Sequence, residues 1–145
     1  MIEHRHEGEV DVWESPRGKL RMWTPAPAVV MSLAEGYFDV ALAQAFLAWL
    51  EPRIAGGTVL TGLHDWSALV GYAPETRKLF TRWTDEHRSS FHRIVIYTES
   101  RLVRMGIATA KLVLGSIVEA VATRAELERL LAEAAPGRRK TKTLY

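Results

Sequence analysis

Residues 58–63, Thr58-Val59-Leu60-Thr61-Gly62-Leu63, and residues 93–98, Arg93-Ile94-Val95-Ile96-Tyr97-Thr98, decide the fold. The first is a short strand-like run, and the second is a nearly continuous apolar one. Runs of this second kind are covered on both faces in parallel sheets. Between them, Pro74 stands in the favoured first-turn position of a helix. That helix carries Leu79, Phe80, Trp83 and His87 on one face and Arg77, Lys78, Arg82, Asp85 and Glu86 on the other. A strand, a helix and a second strand in this order predict a parallel pair with a right-handed crossover.

Working outward, the same alternation continues on both sides. Upstream, Ala28 to Leu33 reads as a strand closed by Glu35-Gly36. Phe38, Leu42, Phe46 and Trp49 then fall at helical spacing, with Asp39 as the cap and Pro52 and Gly56-Gly57 as the stop. Downstream, Ser100 caps a helix whose stripe is Leu102, Met105, Thr109 and Leu112, ended by Gly115. Ser116 to Ala122 reads as the last strand. Thr123 and Glu126 have capping-box spacing for a final helix with Leu127, Leu130 and Leu131 inward.

Near the N-terminus, Val10 to Glu14 and Lys19 to Trp23 flank Ser15-Pro16-Arg17-Gly18, which is hairpin chemistry. The predicted fold is therefore α/β, a mixed sheet with an antiparallel N-terminal hairpin followed by alternating helices and parallel strands. The 145 residues fit a single domain over 8–135, with a flexible N-terminus over 1–7 and a flexible basic tail over 136–145. The net charge of +2 belongs to that tail, through Arg138, Arg139, Lys140 and Lys142; the remainder carries 15 basic against 17 acidic residues. No nucleic-acid partner is expected on this balance. The absence of cysteine, of a signal-like N-terminal run and of a stretch long enough to span a membrane leads to an expectation of a cytoplasmic protein.

Catalytic signatures are missing from the sequence. There is no phosphate loop and no G-x-G-x-x-G, and Ser67 lacks a nucleophile-elbow context. His4, His6, His64, His87 and His92 show no helical metal-ligand spacing, so neither a metal nor a cofactor is expected. His64, Asp65 and Ser100 are the residual candidates for a cryptic catalytic group, but nothing in their spacing forces them together. The expectation is a protein that is not an enzyme.

Ligands of open α/β sheets gather at the loops beyond the carboxyl ends of the strands. Two such loops are expected, His64 to Ala73 and Thr98 to Arg101. They nominate Asp65, Trp66, Ser67, Tyr72, Thr76, Ser100 and Arg101 as a partner, ligand or switch surface. Trp66 is the tryptophan that periodicity explains least, and the favoured reading is that it plugs the end of the sheet.

The run Thr58 to Leu63, then Asp65-Trp66-Ser67, a helix, Arg93 to Thr98 and Ser100 to Gly115 resembles the STAS/SpoIIAA-like family. The likeness is closest to its uncharacterised bacterial branch of small stand-alone domains, which Gly36-Tyr37-Phe38-Asp39 also fits. The resemblance implies a mixed sheet and a non-enzymatic regulatory or protein-interaction role. It also implies, for the anti-sigma factor antagonists, a phosphorylation switch at a helix start. Where those antagonists carry Asp-Ser-Ser-Gly, this chain has Tyr72-Ala73-Pro74-Glu75-Thr76-Arg77, and Thr76 is the nearest hydroxyl. The expected partner is a protein, a second copy of the chain included; the alternative is a small apolar or lipid-like ligand.

Overall fold

The computed structural model describes residues 2–136. Seven strands form one sheet in chain order: β1 (Glu3–Glu7), β2 (Val10–Glu14), β3 (Gly18–Ala26), β4 (Val29–Phe38), β5 (Leu60–Tyr72), β6 (Phe91–Tyr97) and β7 (Val118–Val121). The pairs from β1 to β4 are antiparallel and those from β4 to β7 parallel. The described residues also form four α-helices: α1 (Val40–Ile54), α2 (Pro74–Glu86), α3 (Arg101–Leu114) and α4 (Arg124–Ala134).

This order dictates where the helices lie. The parallel strands are laid down in one direction, so three right-handed crossovers place α1, α2 and α3 on the same face. The last helix, α4, covers the other. Two apolar clusters result. The larger holds Leu20, Val30, Phe38, Phe46, Trp66, Ile96 and Ile107 under the three crossover helices. The smaller holds Met31, Leu63, Val95, Leu127 and Leu131 under α4. Alternate residues of each central strand feed the two clusters, as the period-2 pleat requires.

Helix starts follow the sequence closely. Asp39 accepts from the Leu42 amide, Ser100 from Val103 and Thr123 from Glu126. Pro74 opens α2. Pro52, expected to stop α1, instead sits inside its last turn.

Three expectations need correction. The N-terminal segment taken as flexible forms β1, an edge strand whose His6 pairs with Asp11 and whose His4 pairs with Trp13. The loop expected over His64 to Ala73 is strand as far as Tyr72, because β4 continues to Phe38 and carries the parallel ladder that far through two register shifts. The stripe of Leu102, Met105, Thr109 and Leu112 faces outward; Val103, Gly106, Ile107 and Leu114 are the buried positions of α3. The basic tail lies outside the described residues from 137 onward.

Candidate functional site

Between the sheet and helices α2 and α3 lies an apolar cavity of about 110 Å³. Its wall combines Phe38 from β4, Phe46 from α1, Trp66 from β5 and Phe80 from α2 with Ile107 and Ala110 from α3. The aromatic rings hold one another edge to face: Phe38 meets Phe46, Trp66 and Phe80 at centroid distances of 6.1, 5.3 and 5.2 Å. Such contacts add roughly 0.5–1.5 kcal/mol each beyond area burial, so this wall is rigid. Arg77, Thr81, Tyr72 and Ala110 line the cavity while remaining partly exposed, which places its entrance between α2 and α3.

Helix α3 can approach Tyr72 because residue 106 is glycine. A Cβ there would stand 2.4 Å from the Tyr72 hydroxyl. Tyr72 Oη donates to the Leu102 carbonyl at 3.4 Å, a long contact that ties the end of β5 to the first turn of α3.

Among the polar groups on the lining, His64 is the titratable one that is buried. Its Nδ1 lies 2.6 Å from Ser32 Oγ, while Trp66 Nε1 donates to the same oxygen at 3.0 Å. Burial pushes the imidazole down to about 3, so it is neutral. Ser32 Oγ accepts from the indole and shares a second hydrogen bond with Nδ1, whose direction follows the imidazole tautomer. Nε2 lies over Gly62, where a Cβ would approach it to 2.8 Å. His64 thus gives the cavity wall a neutral polar ring.

Asp65, the next residue, points to the opposite face. Its carboxylate is fully buried, receives the backbone N–H and hydroxyl of Ser67 at 3.0 and 2.6 Å, and pairs with Arg124 at 2.9 Å. Arg124 also reaches over the Tyr97 ring, and the Tyr97 hydroxyl donates to Glu99. The group joins β5 and β6 to the start of α4.

The candidate surface read from sequence is therefore divided. Trp66 and Tyr72 line the cavity; Trp66 is 8% exposed and packed inward. Asp65 and Ser67 belong to the α4 face. Thr76 also lines the cavity wall, but its hydroxyl is buried and donates to the Phe38 carbonyl at 2.9 Å, so it is not presented to a kinase as folded. Ser100 caps α3 and Arg101 is exposed beside it. The possible catalytic trio is separated, with His64 and Asp65 on opposite faces and Ser100 engaged as a cap.

Two clusters escaped the sequence reading. Ser32 completes the His64 relay from 32 residues away, which no local pattern reveals. His4, His6 and Asp11, expected to have no ligand spacing, are brought onto one face by the β1–β2 register. Alternation of two histidines was the available signal, and it becomes informative once residues 3–7 are a strand. Partial burial raises the Asp11 carboxyl, but bonds from His4 and Trp49 outweigh it and hold the group below the usual range.

Comparison with solved structures finds an uncharacterised DUF3478-family protein with a SpoIIAA-like fold from Shewanella loihica PV-4. The two align with a TM-score of 0.57 over 90% of this chain and 93% of the other, at 14% identity. The fold is therefore SpoIIAA-like, as the resemblance implied. No family model matches the chain, and no curated protein matches it.

Proposed function

We propose that this domain is a non-catalytic binding module for a small, uncharged, largely apolar molecule. The observation that carries this reading is the largely apolar cavity under α2 and α3, with the neutral His64 on its wall. Its volume is of the order of the roughly 150 Å³ apolar cavity known to stay dry and bind benzene. A ring or short branched chain fits the space as it stands. A carbonyl or hydroxyl on the ligand would suit the uncharged His64 ring, which offers no positive charge to a carboxylate.

The test is thermal unfolding in the presence of cyclohexanone, phenol, benzene and methylcyclohexane. Stabilisation that rises with the logarithm of ligand concentration is expected, about 2.7 kcal/mol at a hundredfold excess over Kd, and stronger for cyclohexanone than for methylcyclohexane. Ala110→Phe, which fills the entrance side, should abolish it. Equal shifts in the wild type and in Ala110→Phe, or no shift with any probe, would sink the reading.

A second reading, a regulatory protein-interaction module, is favoured by the outer face of α3. Leu102, Met105, Leu112 and Val113 are half to nearly fully exposed there. Arg101, Arg104 and Lys111 lie on the same helix, which has no acidic residue. Two copies docked through this helix would juxtapose those charges, so the complementary occupant is an acidic amphipathic segment of another protein. Anisotropy titration with a labelled acidic amphipathic helix should show binding that Leu112→Glu and Lys111→Glu both weaken at least fivefold. Binding indifferent to both substitutions, or none at all, removes this reading.

A further inference from the structure

We infer that His4, His6 and Asp11 form a binding site for a divalent transition ion of the zinc class on the β1–β2 edge of the sheet. The register sets His6 directly opposite Asp11, and His4 projects from the same face two residues earlier. His4 Nε2 and His6 Nδ1 lie 2.9 and 2.8 Å from the same oxygen, Asp11 Oδ1, and one ligand atom from each residue falls within 4.8 Å of the others. Zinc takes imidazole nitrogen and carboxylate oxygen at roughly 2.0–2.2 Å, which puts ligand atoms on a tetrahedral ion roughly 3.3 Å apart. Small side-chain rotations bring this set to that spacing. Both imidazoles are exposed.

The surroundings hold the ligands in place. Trp13 stacks on the His4 ring at 4.7 Å with an interplanar angle of 8°. Trp49, from α1, donates its indole N–H to the second carboxylate oxygen, Asp11 Oδ2, at 2.8 Å. That leaves Oδ1 to face the imidazoles. Such outer contacts orient metal ligands and are worth 10–100-fold in affinity where measured. Two imidazoles and one carboxylate suit zinc, cobalt or nickel, and supply too few oxygens for calcium or magnesium. Arg53, stacked over Trp49, is the nearby charge that opposes a cation. Three protein ligands leave a fourth position for water or for a group on another molecule. Within this chain the ion joins the edge strand to its neighbour.

Calorimetric titration of the full chain with Zn²⁺ alone, in a non-chelating buffer, tests this directly. One site with micromolar affinity is expected, accompanied by a rise in Tm. His6→Ala and Asp11→Asn should each weaken binding at least tenfold and cancel the rise. His92→Ala, on an exposed histidine at the start of β6, should leave both unchanged. Should Asp11→Asn disturb folding by freeing Trp49, the exposed His4→Ala and His6→Ala variants decide the matter alone. Absence of saturable binding by Zn²⁺, or binding that persists in both histidine variants, would overturn the site and leave two imidazoles simply donating to a carboxylate.

Discussion

Lowering the pH from 7 to 4 is expected to cost this domain about 3 kcal/mol of stability through His64 alone. In the unfolded chain a histidine titrates near 6.5. In the folded chain burial pushes His64 down to about 3, so it takes up no proton across most of that interval. Protons therefore bind the unfolded state preferentially, and stability falls as pH drops below about 6.5 until the folded imidazole begins to titrate near 3. Each unit of pKa difference is worth about 1.4 kcal/mol, which sets the scale. Urea unfolding midpoints measured at pH 7, 6, 5 and 4 should fall progressively. His64→Leu should flatten that profile, since nothing then becomes charged inside the cavity wall. An unchanged slope in His64→Leu would mean that other groups carry the dependence.

Phe38→Ala is the substitution expected to destabilise most. Phe38 is 1% exposed, and its ring touches Phe46, Trp66 and Phe80. Buried phenylalanine truncations cost about 3–5 kcal/mol, part of it transfer free energy and part the space left behind. Here the space adjoins an existing cavity, and the neighbouring rings are fixed by one another, so collapse is hindered. Chemical denaturation should place the loss in that range. The enlarged cavity should at the same time accept bulkier apolar probes than the wild type does. A loss below about 1 kcal/mol would show that the aromatic wall repacks freely and does not define a shaped site.

The sequence was most legible where local chemistry acts. Asp39, Ser100 and Thr123 announce their helices because capping is settled within three residues. Apolar runs such as 93–98 announce buried parallel strands. Residues 64–72 were harder to read because polar His64, Asp65 and Ser67 interrupt the apolar pattern. They are accommodated in a strand by distant partners, Ser32 on one face and Arg124 on the other. Helix α3 is ambiguous in the sequence for a different reason. It has two apolar stripes, and periodicity alone does not choose between them. The inward stripe is the one with Gly106 and Ala110, whose small size admits Tyr72 and leaves room for the cavity. The ends of β1 and β5 likewise depend on pairing along the sheet, which a single strand does not encode.

A preformed apolar space lies between the sheet and helices α2 and α3, with His64 on its wall. A crystal of the protein pressurised with xenon tests this without assuming a natural ligand, since xenon enters dry apolar cavities. A strong xenon peak bounded by Phe46, Phe80 and Ile107 is expected. A pressurised crystal with side chains filling that space, and no xenon there, would contradict it.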